Sequence, residues 1–213
     1  MLIAQAFKFI IDKIYWTSPY RWLDEWLKHL ENRPKLSRKN WEKVRQRRYL
    51  LAEIYFILWF GLAVLFLVFN QRLSVLLVYV SLLRIIGILN KELGVVLFGI
   101  CKITEGKRVS SSGRVISNAF LNYITTGLLF AFVYSKFGLY QVNATVTASL
   151  TIQQAIIQSF SMHFTLSPAF VPANTFSWIF IIGQSIFCFI FGTIIISMFV
   201  SLLNLKPEQE KDK

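Results

Sequence analysis

The side chains able to do chemistry gather in the last third of the chain. Gln153, Gln154 and Gln158 put polar groups on the stretch Ser149–Phe164, and His163 stands near its end. Thr165-Leu166-Ser167-Pro168-Ala169 comes next, and Gln184, Ser197 and Ser201 interrupt the apolar run Phe176–Leu205. Amides, hydroxyls and backbone carbonyls in an otherwise apolar setting suit the lining of a path through a membrane, where broken backbone is tolerated only around protein or water. His163 is the one titratable group in this element. It either lines the path and responds to pH or is a buried imidazole bonded to a neighbouring backbone group. The glutamines either line a vestibule or bond across helices. Gln184 is the side chain least suited to face lipid, so it is expected to meet a pore or another helix. Thr193, Ser197 and Ser201 recur every fourth residue on one helical face. Gly183 and Gly192 are candidate hinges or points of close helix packing.

No catalytic constellation accompanies them. Glu53 is the only acid inside an apolar run, with Arg48 or Arg84 as its expected partner, and His29 and His163 fall on opposite sides of the expected membrane. Neither a shared metal site nor a cofactor site is expected, and the chain does not read as an enzyme.

Elements of a particular kind must position these residues. Ser149–Phe164 is about 16 residues long, too short to cross a bilayer, which takes about 20. Pro168 and Pro172 break the chain beyond it. The run Phe176–Leu205, of about 30 residues, exceeds a 30 Å hydrocarbon core at 1.5 Å per residue, so it must tilt or project into the cytoplasm. A short helix, a break and a long helix together make a re-entrant loop. Upstream, the spacing predicts spans at Tyr49–Phe69, Leu73–Leu89 and Asn118–Phe137. With 55% hydrophobic residues among 213, the chain reads as an all-α integral membrane protein. It is expected to have four transmembrane helices, a re-entrant segment before the last, and amphipathic helices at the amino terminus.

The boundaries expected are a basic, cytoplasmic region at 1–48, a first hairpin at 49–89, an interfacial connection at 90–117, the last unit at 118–205 and a charged tail at 206–213. In the first region, Leu2, Ile3, Phe7, Ile10, Ile11 and Ile14 recur at helical spacing. Ser18-Pro19 opens a second helix carrying Trp22 and Trp26, and Ser37 caps a third, basic one. Leu93, Val96, Leu97 and Ile100 suit a helix resting on the bilayer, and Ser110-Ser111-Ser112-Gly113 reads as a loop.

The net charge of +12 invites a nucleic-acid reading, but no zinc spacing or nucleic-acid motif supports one. The charge is distributed by the sides of a membrane instead. Twelve of the 23 Lys and Arg residues precede Tyr49, Arg72 alone separates the first two spans, six lie between the starts of the second and third, Lys136 alone precedes the fourth, and three come after it. The positive-inside rule then places both termini in the cytoplasm, in a plasma or inner membrane, with the re-entrant segment outside. Arg84 is explained by snorkelling to the inner surface, and the basic cluster of 38–48 by topology or by anionic lipid. Asn143-Ala144-Thr145 is a glycosylation sequon on the outer side. Cys101 and Cys188 are not expected to pair. With the native cysteines replaced, a cysteine at position 141 should be labelled from outside and one at position 106 from inside; the reverse pattern would overturn this topology.

The order of outer helix, short helix, broken loop and long inner helix over Asn118–Leu205 resembles the two-helix pore module of potassium channels. Ser159-Phe160, Thr165-Leu166 and Pro172 look like the positions around that family's filter, and Ser197–Leu203 looks like the end of its inner helix. The resemblance implies an oligomer, a tetramer by preference, around a central axis. The departure lies in the filter itself. The family's Thr-Val-Gly-Tyr-Gly is here Thr165-Leu166-Ser167-Pro168-Ala169, without either glycine, and Pro168 fixes its own φ and restricts Ser167. Phe170 stands where the family has an acid, and no Asp or Glu lies on the outer side, so no carboxylate ring gathers cations. Two functions emerge as expectations: an ion-channel-like protein that does not select potassium, or a non-conducting scaffold or regulatory subunit on a channel-like fold.

Overall fold

The computed structural model describes residues 38–72, 74–98, 109–143 and 146–203, with isolated positions 5, 9, 13, 26 and 29 before them. The expected amphipathic helices before Ser37 lie outside the described residues apart from those positions, as do Cys101, the end of the sequon and the tail at 206–213.

Five helices and a small sheet make up the described chain: α1 Arg38–Val68, a 3₁₀ turn Asn70–Arg72, α2 Leu76–Phe98, α3 Val109–Lys136, β1 Tyr140–Asn143, β2 Val146–Ala148, α4 Ile152–Thr165, β3 Val171–Pro172 and α5 Thr175–Leu203. The basic segment and the first apolar run form one uninterrupted helix, because nothing between Arg38 and Val68 breaks it: the stretch holds no proline, and Gly61 alone is tolerated. Likewise α2 runs on past Leu89, and Ser110–Gly113 is helix rather than loop. In a first helical turn the N–H groups have no intrahelical partner, so serine does little harm there. Ser74 starts α2 by accepting the Leu76 N–H at 3.2 Å.

Helix α3 is the central post, packed against the other four helices. Leu129 to Tyr134 are all buried, and a helix apolar on every side belongs in the middle of a bundle. Phe66 of α1 meets Phe132 at 5.3 Å between ring centroids. At the far end, Lys136 donates to the Asn70 carbonyl, tying the α1–α2 turn to the end of α3.

Two helical stretches are long and apolar enough to cross a membrane, Ile116–Lys136 and Thr175–Ser197; Glu53–Val68 and Leu76–Asn90 are shorter apolar stretches. Large apolar side chains also stay on the outside, among them Leu83, Ile182, Phe189 and Ile196.

The fold is mostly helical, and the sheet, ordered β2-β1-β3, is its addition. Tyr140 faces Ala148 across β1 and β2, with a register shift between Gln141 and Asn143. On the other side Tyr140 faces Pro172 and Gln141 faces Val171. Pro172 is tolerated because β3 is an edge strand. The sheet thus closes over both ends of the segment formed by α4 and its loop.

Candidate functional site

Helix α4 has 14 residues, about 21 Å at 1.5 Å per residue. It is shorter than a bilayer core, as its sequence implies. A capping box fixes its start: Gln154 N donates to Thr151 Oγ1 at 3.4 Å, and Thr151 N donates to Gln154 Oε1 at 3.0 Å. Gln154, expected on a lining face, is engaged in this cap. Leu166 ends the helix in the left-handed region at φ 55°, the one non-glycine residue with positive φ among those described. Glycine is usual at this position, and a leucine there costs on the order of 1 kcal/mol.

The loop is held from behind and open in front. Ser161 Oγ donates to the Ser167 carbonyl at 2.7 Å, and Phe170 N donates to Gln158 Oε1 at 2.7 Å. Gln158 is fully buried, and its Nε2 finds no partner among the described residues. Thr165, Leu166, Ser167 and Ala169 are exposed, while Pro168 is half-buried.

Behind the loop, α3, α4 and α5 share a buried polar cluster centred on Gln184. Tyr134 donates its hydroxyl to Gln184 Oε1 at 2.5 Å. Gln184 Nε2 donates to the Ser159 carbonyl at 2.9 Å and lies 2.5 Å from His163 Nδ1. His163 Nε2 sits 3.2 Å from the Tyr123 carbonyl, and the Tyr123 hydroxyl donates to the His163 carbonyl. These contacts agree on one protonation state. A carbonyl only accepts, so Nε2 carries the proton, and Nδ1 accepts from the amide. With Gln184 Oε1 committed to Tyr134, a proton on Nδ1 would set donor against donor. The histidine is therefore neutral in this arrangement.

Aromatic rings enclose it. Tyr123 lies 4.6 Å from the imidazole between centroids, Phe160 and Phe187 each 6.1 Å. The close approach of α4 to α3 occurs at Gly127: Ser159 Oγ donates to its carbonyl at 2.6 Å, and a Cβ there would lie 3.4 Å from the His163 ring. Cys188 is buried and free, its Sγ 3.6 Å from His163 Nδ1. No group of three His, Cys, Asp or Glu side chains gathers among the described residues.

Of the residues singled out in the sequence, the fold brings Gln158, His163 and Gln184 into the protein interior, the last two in direct contact. Ser197 is exposed and donates to the Thr193 carbonyl at 2.8 Å; the side chain of Ser201 lies outside the described residues. Gly183 and Gly192 have no atom within 4 Å of an added Cβ, so neither serves close packing among the described residues. Arg84 is buried, not extended to the surface: its Nη1 donates to Tyr55 Oη at 3.2 Å, and its guanidinium lies 5.1 Å from the Trp59 ring centroid.

A second polar group fixes the start of α5 against the α3–β1 turn. Asn174 caps α5, accepting from Ser177 N at 2.9 Å. Ser177 Oγ accepts from Leu139 N at 2.8 Å and lies within hydrogen-bonding distance of Leu139 O and Asn174 Oδ1. Tyr140 packs beside it. Burial pushes the Tyr140 phenol up to about 12, and the Ser177 hydroxyl offsets part of that rise. Ser177, Asn174, Tyr123 and Tyr134 have no distinguishing mark in the sequence beyond being polar groups in or beside apolar runs.

The arrangement can position a loop, and the free thiol of Cys188 beside His163 is buried with it. The chain matches no protein-family model, and no curated protein or solved structure matches it either.

Proposed function

We propose that this is an ion-channel-like, multi-pass membrane protein in which the loop Thr165–Ala169 is the working surface and α3, α4 and α5 are its frame. One observation carries the reading. The loop is exposed at its tip yet bonded at its back to Gln158 and Ser161, with a hydrogen-bonded polar cluster behind it. A single copy encloses no pore, so copies assemble around an axis, a tetramer by preference, with both termini cytoplasmic.

The pathway is not potassium-selective. A potassium filter needs successive carbonyls turned to the ion. Here positive φ among the described non-glycine residues is confined to Leu166, and Pro168 restricts its neighbour. In asymmetric salts the reversal potential of any current should stand clear of the potassium equilibrium value; a reversal at that value would defeat the assignment.

The alternative is a non-conducting scaffold or regulatory subunit. It draws on the same cluster: Gln158, His163 and Gln184 bond within the subunit and present nothing to an axis. Purified protein in planar bilayers separates the two readings, since only the first yields current that changes with loop substitutions.

A further inference from the structure

We infer that the cytoplasmic end of α1 binds the phosphate headgroups of anionic glycerophospholipids in the inner leaflet. The first eleven residues of this helix, Arg38–Arg48, hold six bases and one acid, Glu42. There is no acid in the first turn. Bases at a helix start oppose the macrodipole, whose positive end favours anions, so the helix carries a positive field that its own sequence does not offset.

The register says where that field lies. Arg47, Leu50, Ile54, Ile57, Val64 and Val68 succeed one another at three- and four-residue steps or their multiples along α1, and all six are exposed. Gly61, on the same line, is open, with nothing within 4 Å of an added Cβ. Leu50 to Val68 covers about 27 Å at 1.5 Å per residue, close to the roughly 30 Å of a hydrocarbon core. An exposed apolar row of that length belongs against acyl chains. Arg47 is the next residue on the row, which sets it at headgroup level, and Lys43 lies one turn further out. The helix does not break between them, so lipid contact and positive charge are parts of one rigid element. Phosphate esters are the anions available at that depth, and each Lys or Arg near an anionic surface strengthens binding roughly fivefold.

The inference rests on α1 being a membrane helix, and the experiment keeps that premise separate. The full chain is reconstituted in phosphatidylcholine vesicles, and tryptophan quenching by brominated phosphatidylglycerol is compared with quenching by brominated phosphatidylcholine. Phosphatidylglycerol should be preferred severalfold. The preference should fall by at least about tenfold in K43Q/R47Q/R48Q, persist in the charge-conserving K43R/R47K/R48K, and be unchanged by R72Q at the opposite end. Free glycerol phosphate should not displace the lipid; displacement would assign the site to a soluble phosphate instead. Equal quenching by both lipids in protein that inserts would overturn the headgroup site. Failure to insert into neutral vesicles would overturn the membrane placement of α1 and the site with it.

Discussion

Replacing Gln184 by leucine is expected to lower stability by about 2 kcal/mol, although leucine fills nearly the same volume and suits an apolar helix better. The amide satisfies Tyr134, Ser159 and His163 at once, and all four residues are buried. A polar group left unpaired inside a protein costs about 1–3 kcal/mol. Between membrane helices a hydrogen bond averages about 0.6 kcal/mol; three lost together give about 2 kcal/mol, and the lower scale is the one that applies here. The control is Ile182→Leu on the exposed side of α5, expected within about 0.5 kcal/mol of the parent. Thermal unfolding of purified protein measures both. Identical melting of Gln184→Leu and the parent would mean that the cluster does not hold α4 to α5. In a conducting assembly the same change should alter current or assembly, because the loop loses its footing.

Gly138→Ala should be at least as damaging, at about 3 kcal/mol. Gly138 has φ +100°, and an added Cβ would lie 2.6 Å from Ser177 Oγ and 2.8 Å from the Tyr140 ring. Left-handed backbone costs an alanine about 1–2 kcal/mol, and forcing a methyl into a filled site about 1–3 kcal/mol more. Relief is blocked, because Ser177 bonds to Leu139 and Asn174, and Tyr140 is fully buried between β2 and β3. Gly192→Ala is the counterpart: with no atom within 4 Å, it should be neutral or stabilise by up to about 1 kcal/mol, as alanine does in helices. A Gly138→Ala protein that melts with the parent would show that the α3–β1 turn is not set by this contact.

Gln184 is legible in the sequence because an amide in a long apolar run must find a partner, and the short α4 is legible from its length and Pro168. The partners themselves are out of reach: Tyr134 lies 50 positions before Gln184 in the chain, and only the crossing of α3 and α5 brings them together. The sheet is hidden for a related reason. Its strands have two to four residues, too few for an alternation to register, and β1 is joined to β3 across α4 and the loop. For Arg84, distance to the membrane surface suggests snorkelling but says nothing of Tyr55 and Trp59 on the facing helix. Helix α1 starts at Arg38, as the Ser37 cap implies, but runs on unbroken through the first apolar run, and α3 starts at Val109 rather than Asn118, because polar residues mark where an apolar run begins, not where a helix does.

The central claim is that the exposed loop of an assembled protein forms the path. The most direct measurement records current in planar bilayers from protein whose oligomeric mass is determined in parallel. Ser167→Cys is placed in a background with Cys101 and Cys188 replaced by serine, and a thiol reagent is added from the outer side. The account predicts an oligomer whose non-potassium-selective current changes when residue 167 is modified. A monomer without current, or a current indifferent to modification at residue 167, would contradict it.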